Sequence, residues 1–156
     1  MRDDRTEILE TIYCYATGVD TKDWPLYRSI FTDEIEVDFS SWDGRPARRI
    51  KADEWLAGVQ ALFPGFDATQ HAMTNPRVTI EGDRASCVMY VQAAHFLRND
   101  EGDAEFTLGG YYTDRLVRTA AGWKLCGVKL TVTWSRGNKH VMALALKRAA
   151  RAQRST

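Results

Sequence analysis

Several features that mark special classes of protein are scarce or missing in this sequence. It has three cysteines among 156 residues, and no Cys-x-x-Cys pair. Cys14, Cys87 and Cys126 lie far apart within apolar runs, which is typical of buried free thiols in a reducing compartment. No His/Cys cluster has the spacing of a zinc site. We therefore expect neither a disulfide framework nor a metal centre.

Long apolar runs and an excess of one charge are missing as well. No stretch approaches the length that spans a membrane, and the first residues lack the apolar segment of a secretion signal. The 21 basic and 21 acidic residues cancel, so the charge favours neither nucleic acid nor a membrane surface as partner. Residues 139–154 are basic, which we interpret as the solvated face of a helix. The expected location is the cytoplasm.

What the sequence does contain is typical of one globular domain over residues 1–156, with a core at about 7–135. Apolar residues three and four apart between Ile8 and Val19 predict a helix with one buried face. Further helices are predicted over 23–31 and 52–63, with a strand at 35–39 and a short return strand between them. Runs at 77–80, 84–97, 106–119 and 123–134 predict antiparallel strands. Asn138 is predicted to cap a last helix at about 138–154. Helices followed by a sheet predict an α+β fold.

Polar residues on apolar faces of these strands are candidates for a site, because burying them unpaired is costly. Tyr112 and Asp114 share a face with Phe106, Leu108 and Leu116 by the two-residue period of a strand. His95 ends an apolar row that contains Met89 and Val91. Asp20 ends the first helix, and His71 precedes the first long strand. Each of these residues, taken singly, also has an ordinary structural explanation in core packing, a turn or an ion pair.

The order of elements and four short motifs resemble a known family. The motifs are GVDTKDW at 18–24, FTDE at 31–34, TQH at 69–71 and GWKL at 122–125. Together they resemble the SnoaL-like group of the nuclear transport factor 2-like superfamily over nearly the whole chain. Within that group the sequence is most similar to scytalone dehydratase and, more distantly, to hexachlorocyclohexane dehydrochlorinase.

The resemblance implies a cone-shaped α+β barrel, in which N-terminal helices cover the concave face of a curved, mostly antiparallel sheet around a deep pocket. It implies elimination chemistry without metal or organic cofactor, with His71 as the catalytic histidine and Asp20 as its partner. His95 corresponds to a second pocket histidine, and Tyr112 and Asp114 to polar residues on a later strand. Two tyrosines of the dehydratase are replaced by Val19 and Phe39, and an arginine of the dehydrochlorinase by Val128. We therefore expect a different substrate from that of either relative.

The leading hypothesis is a dehydratase-like lyase or isomerase that acts on a hydrophobic, cyclic or polyketide-like molecule. Asp20 and His71 would transfer the proton, because a carboxylate on one ring nitrogen orients an imidazole and stabilises its charged form. His95, Tyr112 and Asp114 would bind a substrate oxygen. The remaining pocket wall is predicted to be apolar, formed by Phe39, Met89, Val91 and Trp134.

Two other functions stay open. The first is a non-catalytic ligand-binding or assembly module, such as the small subunit of a ring-hydroxylating dioxygenase. The second is an epoxide-type hydrolase, for which Asp114 beside Arg115 is the only hint. Whichever function applies, we expect a homodimer or homotrimer.

Overall fold

The computed structural model describes residues 3–155 and begins with helix α1, Asp4–Thr21. Asp3 caps this helix, since its carboxylate accepts a hydrogen bond of 2.9 Å from the Thr6 backbone N–H. The helix ends at Thr21 and is capped by Lys22, which adopts a left-handed backbone conformation with φ 58°. Ile8, Ile12 and Val19 are buried, which confirms the predicted apolar face.

Short elements follow in the order α2 (Trp24–Ser29), β1 (Phe31–Asp38), α3 (Ser40–Asp43), β2 (Arg48–Lys51) and α4 (Ala52–Leu62). The prediction that the second helix reaches residue 31 was wrong. Phe31 instead begins β1 and lies opposite Leu125 in a parallel strand pair. After α4, a single 3₁₀ turn, Phe63–Gly65, leads towards the long strands.

Four long strands form the rest of the sheet: β3 (Ala68–Glu81), β4 (Arg84–Phe96), β5 (Glu105–Thr119) and β6 (Gly122–Gly137). The strand order is β2-β1-β6-β5-β4-β3, and only the pairing of β1 with β6 is parallel. The prediction that the first long strand starts at residue 77 was wrong, because β3 begins nine residues earlier. An irregularity between Thr74 and Arg77, with Asn75 at φ 55°, interrupts the pairing without ending the strand.

The inner face of this curved sheet packs against α1 and forms the core. Alternate residues of β4 and β5 are buried, as the two-residue period predicts: Cys87, Met89, Val91, Ala93, His95, Phe106, Leu108, Tyr112, Asp114 and Leu116. The fold is therefore the predicted α+β cone, with helices covering the concave side of a mostly antiparallel sheet.

Helix α5, Val141–Arg154, closes the chain. It starts three residues after the predicted cap Asn138, whose side chain instead bonds the His140 N–H at 3.1 Å and the Asp103 carbonyl at 3.0 Å. The helix packs on the 3₁₀ turn so closely that a Cβ on Gly65 would overlap the Ala145 backbone. Within residues 3–155, every helix is too short or too polar to cross a lipid bilayer.

Candidate active site

Asp20 and His71 meet where the last turn of α1 crosses β3. His71 Nδ1 lies 2.7 Å from Asp20 Oδ1, and the His71 backbone N–H donates to Oδ2 at 2.7 Å. The Thr69 hydroxyl donates a third hydrogen bond to Oδ1, at 2.9 Å. The two side chains are only 6% and 18% exposed, for His71 and Asp20 respectively. Both carboxylate oxygens are thus fixed in place by β3.

The protonation of this pair follows from its hydrogen bonds. Burial by itself raises the pKa of Asp20, but the hydrogen bonds and charge of His71 and the Thr69 hydroxyl outweigh that effect and leave the pKa below its usual value. Asp20 is therefore a carboxylate near neutral pH, and a carboxylate can only accept hydrogen bonds. Nδ1 of His71 must carry the shared proton, so a neutral His71 has its free lone pair on Nε2.

His95 provides a second imidazole beside that of His71. Its ring centroid is 5.9 Å from that of His71, and the residue is only 3% exposed. Nδ1 lies 3.3 Å from the Phe106 carbonyl oxygen, which only accepts, so Nδ1 carries the proton and Nε2 is an acceptor. Burial, followed by the nearby His71, lowers the pKa of His95 to about 4.

Three phenylalanines surround the two imidazoles. Phe63 lies 5.9 Å from the His71 ring and 6.1 Å from the His95 ring, measured between centroids. Phe66 and Phe106 lie 5.2 Å and 6.2 Å from His95. We call this group, His71, His95, Phe63, Phe66 and Phe106, the aromatic cluster. Its apolar surroundings strengthen electrostatic interactions with Asp20.

Met89 and Val91 lie on the same inner face as this cluster. Both are 1% exposed. Val91 pairs with Met73 on β3, two residues from the pairing of His71 with Ala93. Val91 is therefore close to the Asp20–His71 pair, and Met89 lies two residues further along β4 from it.

Tyr112 lies deeper, under α1. Leu108 of β5 pairs with Ala93 of β4, which in turn pairs with His71 of β3. Tyr112 is four residues further along β5 from that level. Its ring centroid is 5.5 Å from that of Tyr15, and the two hydroxyls share a hydrogen bond. Burial raises the pKa of Tyr112 well above its usual range. Tyr112 is 4% exposed and lies four residues along β5 from the level of His71, so the structure places it away from the Asp20–His71 pair.

Asp114 is not part of the same site. It lies six residues along β5 from Leu108, roughly 20 Å at the rise of a strand, and it is 2% exposed. Its Oδ1 has no hydrogen-bond partner within residues 3–155. Burial raises the pKa of its carboxyl well above normal, opposed by one hydrogen bond from the Lys129 backbone. Arg115 points to the other face and pairs with Glu36 at 3.1 Å, so the arrangement that suggested a hydrolase is absent here.

We expect Asp114→Leu to raise the free energy of unfolding at pH 7 by about 1–2 kcal/mol, because it removes a buried polar atom without a partner. Folding raises the pKa of this carboxyl. Its contribution to the free energy of unfolding is therefore fully present below the unfolded pKa and is lost as the pH rises through the folded pKa. Urea unfolding from pH 4 to pH 9 should therefore show wild-type stability falling relative to the variant. Asp114→Asn, which also cannot ionise, is the matched control for this slope. Parallel pH profiles for all three proteins would contradict the argument.

Two predicted wall residues lie elsewhere. Phe39 follows β1 and packs on Trp55 with ring centroids 5.1 Å apart, beside a small cavity of about 70 Å³. Trp134 is 41% exposed. A Cβ added to Gly109 would overlap the Trp134 indole. Because Gly109 directly follows the inward-facing Leu108, that Cβ would lie on the opposite face, and Trp134 therefore lies on the outer face of the sheet. An irregularity in pairing at Gly109 and Gly110 shifts the register of β6 there.

Sequence reasoning missed Phe63 and Phe66, which come from the turn after α4. The only local signal is the sequence Phe-Pro-Gly-Phe, in which Pro and Gly end a helix and leave two aromatic rings beside the break. Thr69 was part of a noted motif but was given no role. All three cysteines are free, but only Cys87 is buried as expected, whereas Cys14 and Cys126 are partly exposed. Within residues 3–155 no group of three or more His, Cys, Asp or Glu side chains could hold a metal.

The cone with its helix-covered inner face defines a protein of the nuclear transport factor 2-like superfamily. The model of the SnoaL-like domain matches residues 1–129, and the chain belongs to this family. The crystal structure of the Kfla4162 protein from Kribbella flavida superposes with a TM-score of 0.85 at 37% identity, covering 90% of this chain and 97% of that one.

Other relatives are more distant, and two of them have names that refer to a reaction. A dehydratase from Pestalotiopsis microspora is 24% identical over 144 residues, which is 87% of this chain and 91% of the relative. A hexachlorocyclohexane dehydrochlorinase from Novosphingobium barchaimii shares the fold, with a TM-score of 0.70 at 18% identity over 86% of this chain and 90% of that one. An uncharacterized protein of Mycobacterium tuberculosis is 28% identical over 122 residues, 78% of this chain and 80% of the relative.

Proposed function

We propose that this protein is a cofactor-independent, dehydratase-like lyase or isomerase. Its SnoaL-like family, its fold and the dehydratase and dehydrochlorinase among its relatives support a small-molecule isomerase or dehydratase kind of function. The observation that carries the finer proposal is the 2.7 Å contact between His71 Nδ1 and Asp20 Oδ1, inside an apolar aromatic cluster.

In the proposed reaction, Nε2 of His71 removes a proton from the carbon next to a substrate carbonyl. Asp20 stabilises the imidazolium that forms, because its carboxylate bonds the opposite nitrogen. The electron pair left on carbon then forms the new double bond as the β-hydroxyl departs. His71 returns its proton to that hydroxyl, so water leaves and the imidazole is neutral again.

His95 would orient the substrate. Its Nε2 is an acceptor at neutral pH, so it can accept a hydrogen bond from the leaving hydroxyl without competing for the proton. The phenylalanines would pack against an apolar ring, which is why we propose a hydrophobic cyclic or polyketide-like substrate. Met89 and Val91 extend that apolar wall.

A panel of cyclic β-hydroxy ketones tests this function. Loss of water creates a conjugated ketone, so turnover appears as growing ultraviolet absorbance and a mass decrease of one water. If panel members bind tightly, by calorimetry, but none is dehydrated or isomerised, the proposal fails and a non-catalytic binding module replaces it. Stable association with a larger iron-containing chain would favour the assembly-module alternative in the same way.

We also propose that the protein acts in the cytoplasm as a homodimer or homotrimer. The outer face of the sheet exposes Tyr90 by 59% together with Val88, Phe96 and Trp134, an apolar surface that a second copy could cover. Light scattering on the purified protein measures the mass directly, and a monomer at micromolar concentration would contradict this part of the proposal.

A further inference from the structure

A cavity lies away from the aromatic cluster, between α5 and the connection from β4 to β5. Its volume is about 570 Å³, large enough for a small organic molecule. We call it the α5 cleft, and its lining is Asp67, Leu97, Arg98, Asn99, Glu101, Leu144, Lys147, Arg148 and Arg151. The proposed chemistry of Asp20 and His71 does not use it.

The charge of the α5 cleft is strongly positive, although the whole chain is neutral. Asp67 is already neutralised, because Arg148 Nη1 lies 2.6 Å from its Oδ1 and the Arg98 backbone N–H donates to its Oδ2. Glu101 lies 2.9 Å from His140 Nε2. The side chains of Arg98, Lys147 and Arg151 make no ion pair within 4 Å and no hydrogen bond within residues 3–155, although Arg98 is near enough to Asp67 to help lower the pKa of that carboxyl.

Three unpaired cations around one cavity repel each other, and a bound anion would relieve that repulsion. Guanidinium groups offer paired N–H donors that match carboxylate and phosphate oxygens. The cleft is also partly apolar, since Leu97 is buried beneath it and Leu144 lines it from α5. Inorganic ions would use only the charged half of this lining.

We propose that the α5 cleft is a binding site for an organic oxyanion, in which Arg98, Lys147 and Arg151 hold a carboxylate or phosphate and the two leucines contact a short apolar body. The site is separate from the proposed active site but adjoins it, because Asp67 follows Phe66, whose ring packs on His95.

Titration calorimetry with hexyl phosphate and with heptanoate tests the proposal, and the tighter of the two identifies the head group. Hexanol and inorganic phosphate, each carrying one half of the ligand, should bind at least tenfold more weakly. The triple variant Arg98→Gln/Lys147→Gln/Arg151→Gln should weaken binding of the better ligand by at least about tenfold. Leu144→Ser should weaken the amphiphile several-fold and leave inorganic phosphate unchanged.

A matched control removes the same number of charges from other surfaces, as Arg49→Gln/Arg77→Gln/Arg84→Gln. This control should bind like the wild type. Equal loss of affinity in the two triple variants would mean that only net charge matters, and would overturn the site. Absence of binding by both hexyl phosphate and heptanoate, or inorganic phosphate binding as tightly as the better of them, would also overturn it. Circular dichroism identifies any variant whose helix content has changed.

Discussion

His71→Ala is expected to lower kcat for dehydration by about 10²- to 10⁴-fold, because it removes the group that we propose moves the proton. The fold should remain intact, since the His71 side chain bonds Asp20 but the backbone N–H and Thr69 still hold that carboxylate. Asp20→Asn should cause a loss of similar order. The asparagine keeps the shape, yet it has no charge to stabilise an imidazolium. Rates on the best substrate of the ketone panel provide the measurement.

His140→Ala is the matched control for these two variants. His140 is the third histidine of the chain and lies at the start of α5, where it is exposed and pairs with Glu101. Its loss should leave kcat unchanged within about twofold. Full activity of either His71→Ala or Asp20→Asn, on a substrate that wild type turns over, would exclude the pair as the proton-transfer machinery even if the protein is an enzyme.

The stability of the wild-type protein is expected to fall by about 3 kcal/mol between pH 6.5 and pH 4 because of His95 alone. Folding lowers the pKa of this histidine from 6.5 to about 4, first through burial and then through the neighbouring His71. Its contribution is thus fully present above pH 6.5 and is lost as pH falls, since the unfolded chain binds the proton first. Each pH unit in that interval is worth about 1.4 kcal/mol.

The measurement is urea unfolding at half-unit steps from pH 8 to pH 4, for wild type, His95→Gln and His140→Gln. Only the slope is compared, because His95→Gln also changes packing at every pH. His95→Gln should be flatter than wild type across the interval, and His140→Gln should be as steep as wild type. Equal slopes for wild type and His95→Gln would mean that His95 titrates normally, and that the aromatic cluster is wetter than its burial indicates.

Local patterns in the sequence predicted most of the fold. They succeed in elements where the helical or two-residue spacing of apolar residues decides which side chains are buried. The alternation along β4 correctly placed Met89, Val91 and His95 on one inner face. The same reasoning was wrong where the backbone irregularity at Asn75 looked like the start of a strand. Trp134 was expected in the apolar pocket wall, but a shift of one residue at the Gly109–Gly110 irregularity turns every later side chain of β6 over and places it on the outer face.

The candidate site was less accessible to such reasoning. Asp20 and His71 are 51 residues apart, and no local period links the end of a helix to a position in a later strand. Their pairing was expected only from the family resemblance, whose motifs include both residues. Asp114 illustrates the opposite problem. A polar residue on an apolar face can lie in a pocket or deep in the core, and the sequence does not distinguish the two.

The parallel pairing of β1 with β6 has a consequence for how the chain is made. Phe31 lies beside Leu125, so a segment near the start of the protein gains its second strand neighbour only when nearly all of the chain exists. Until then β1 has only the four-residue β2 beside it, and an isolated strand pair is marginal in water. The apolar face of α1 also waits for the later strands. We therefore expect the N-terminal third to lack a stable fold as it leaves the ribosome, and the domain to fold as one unit after the last strand has been synthesised.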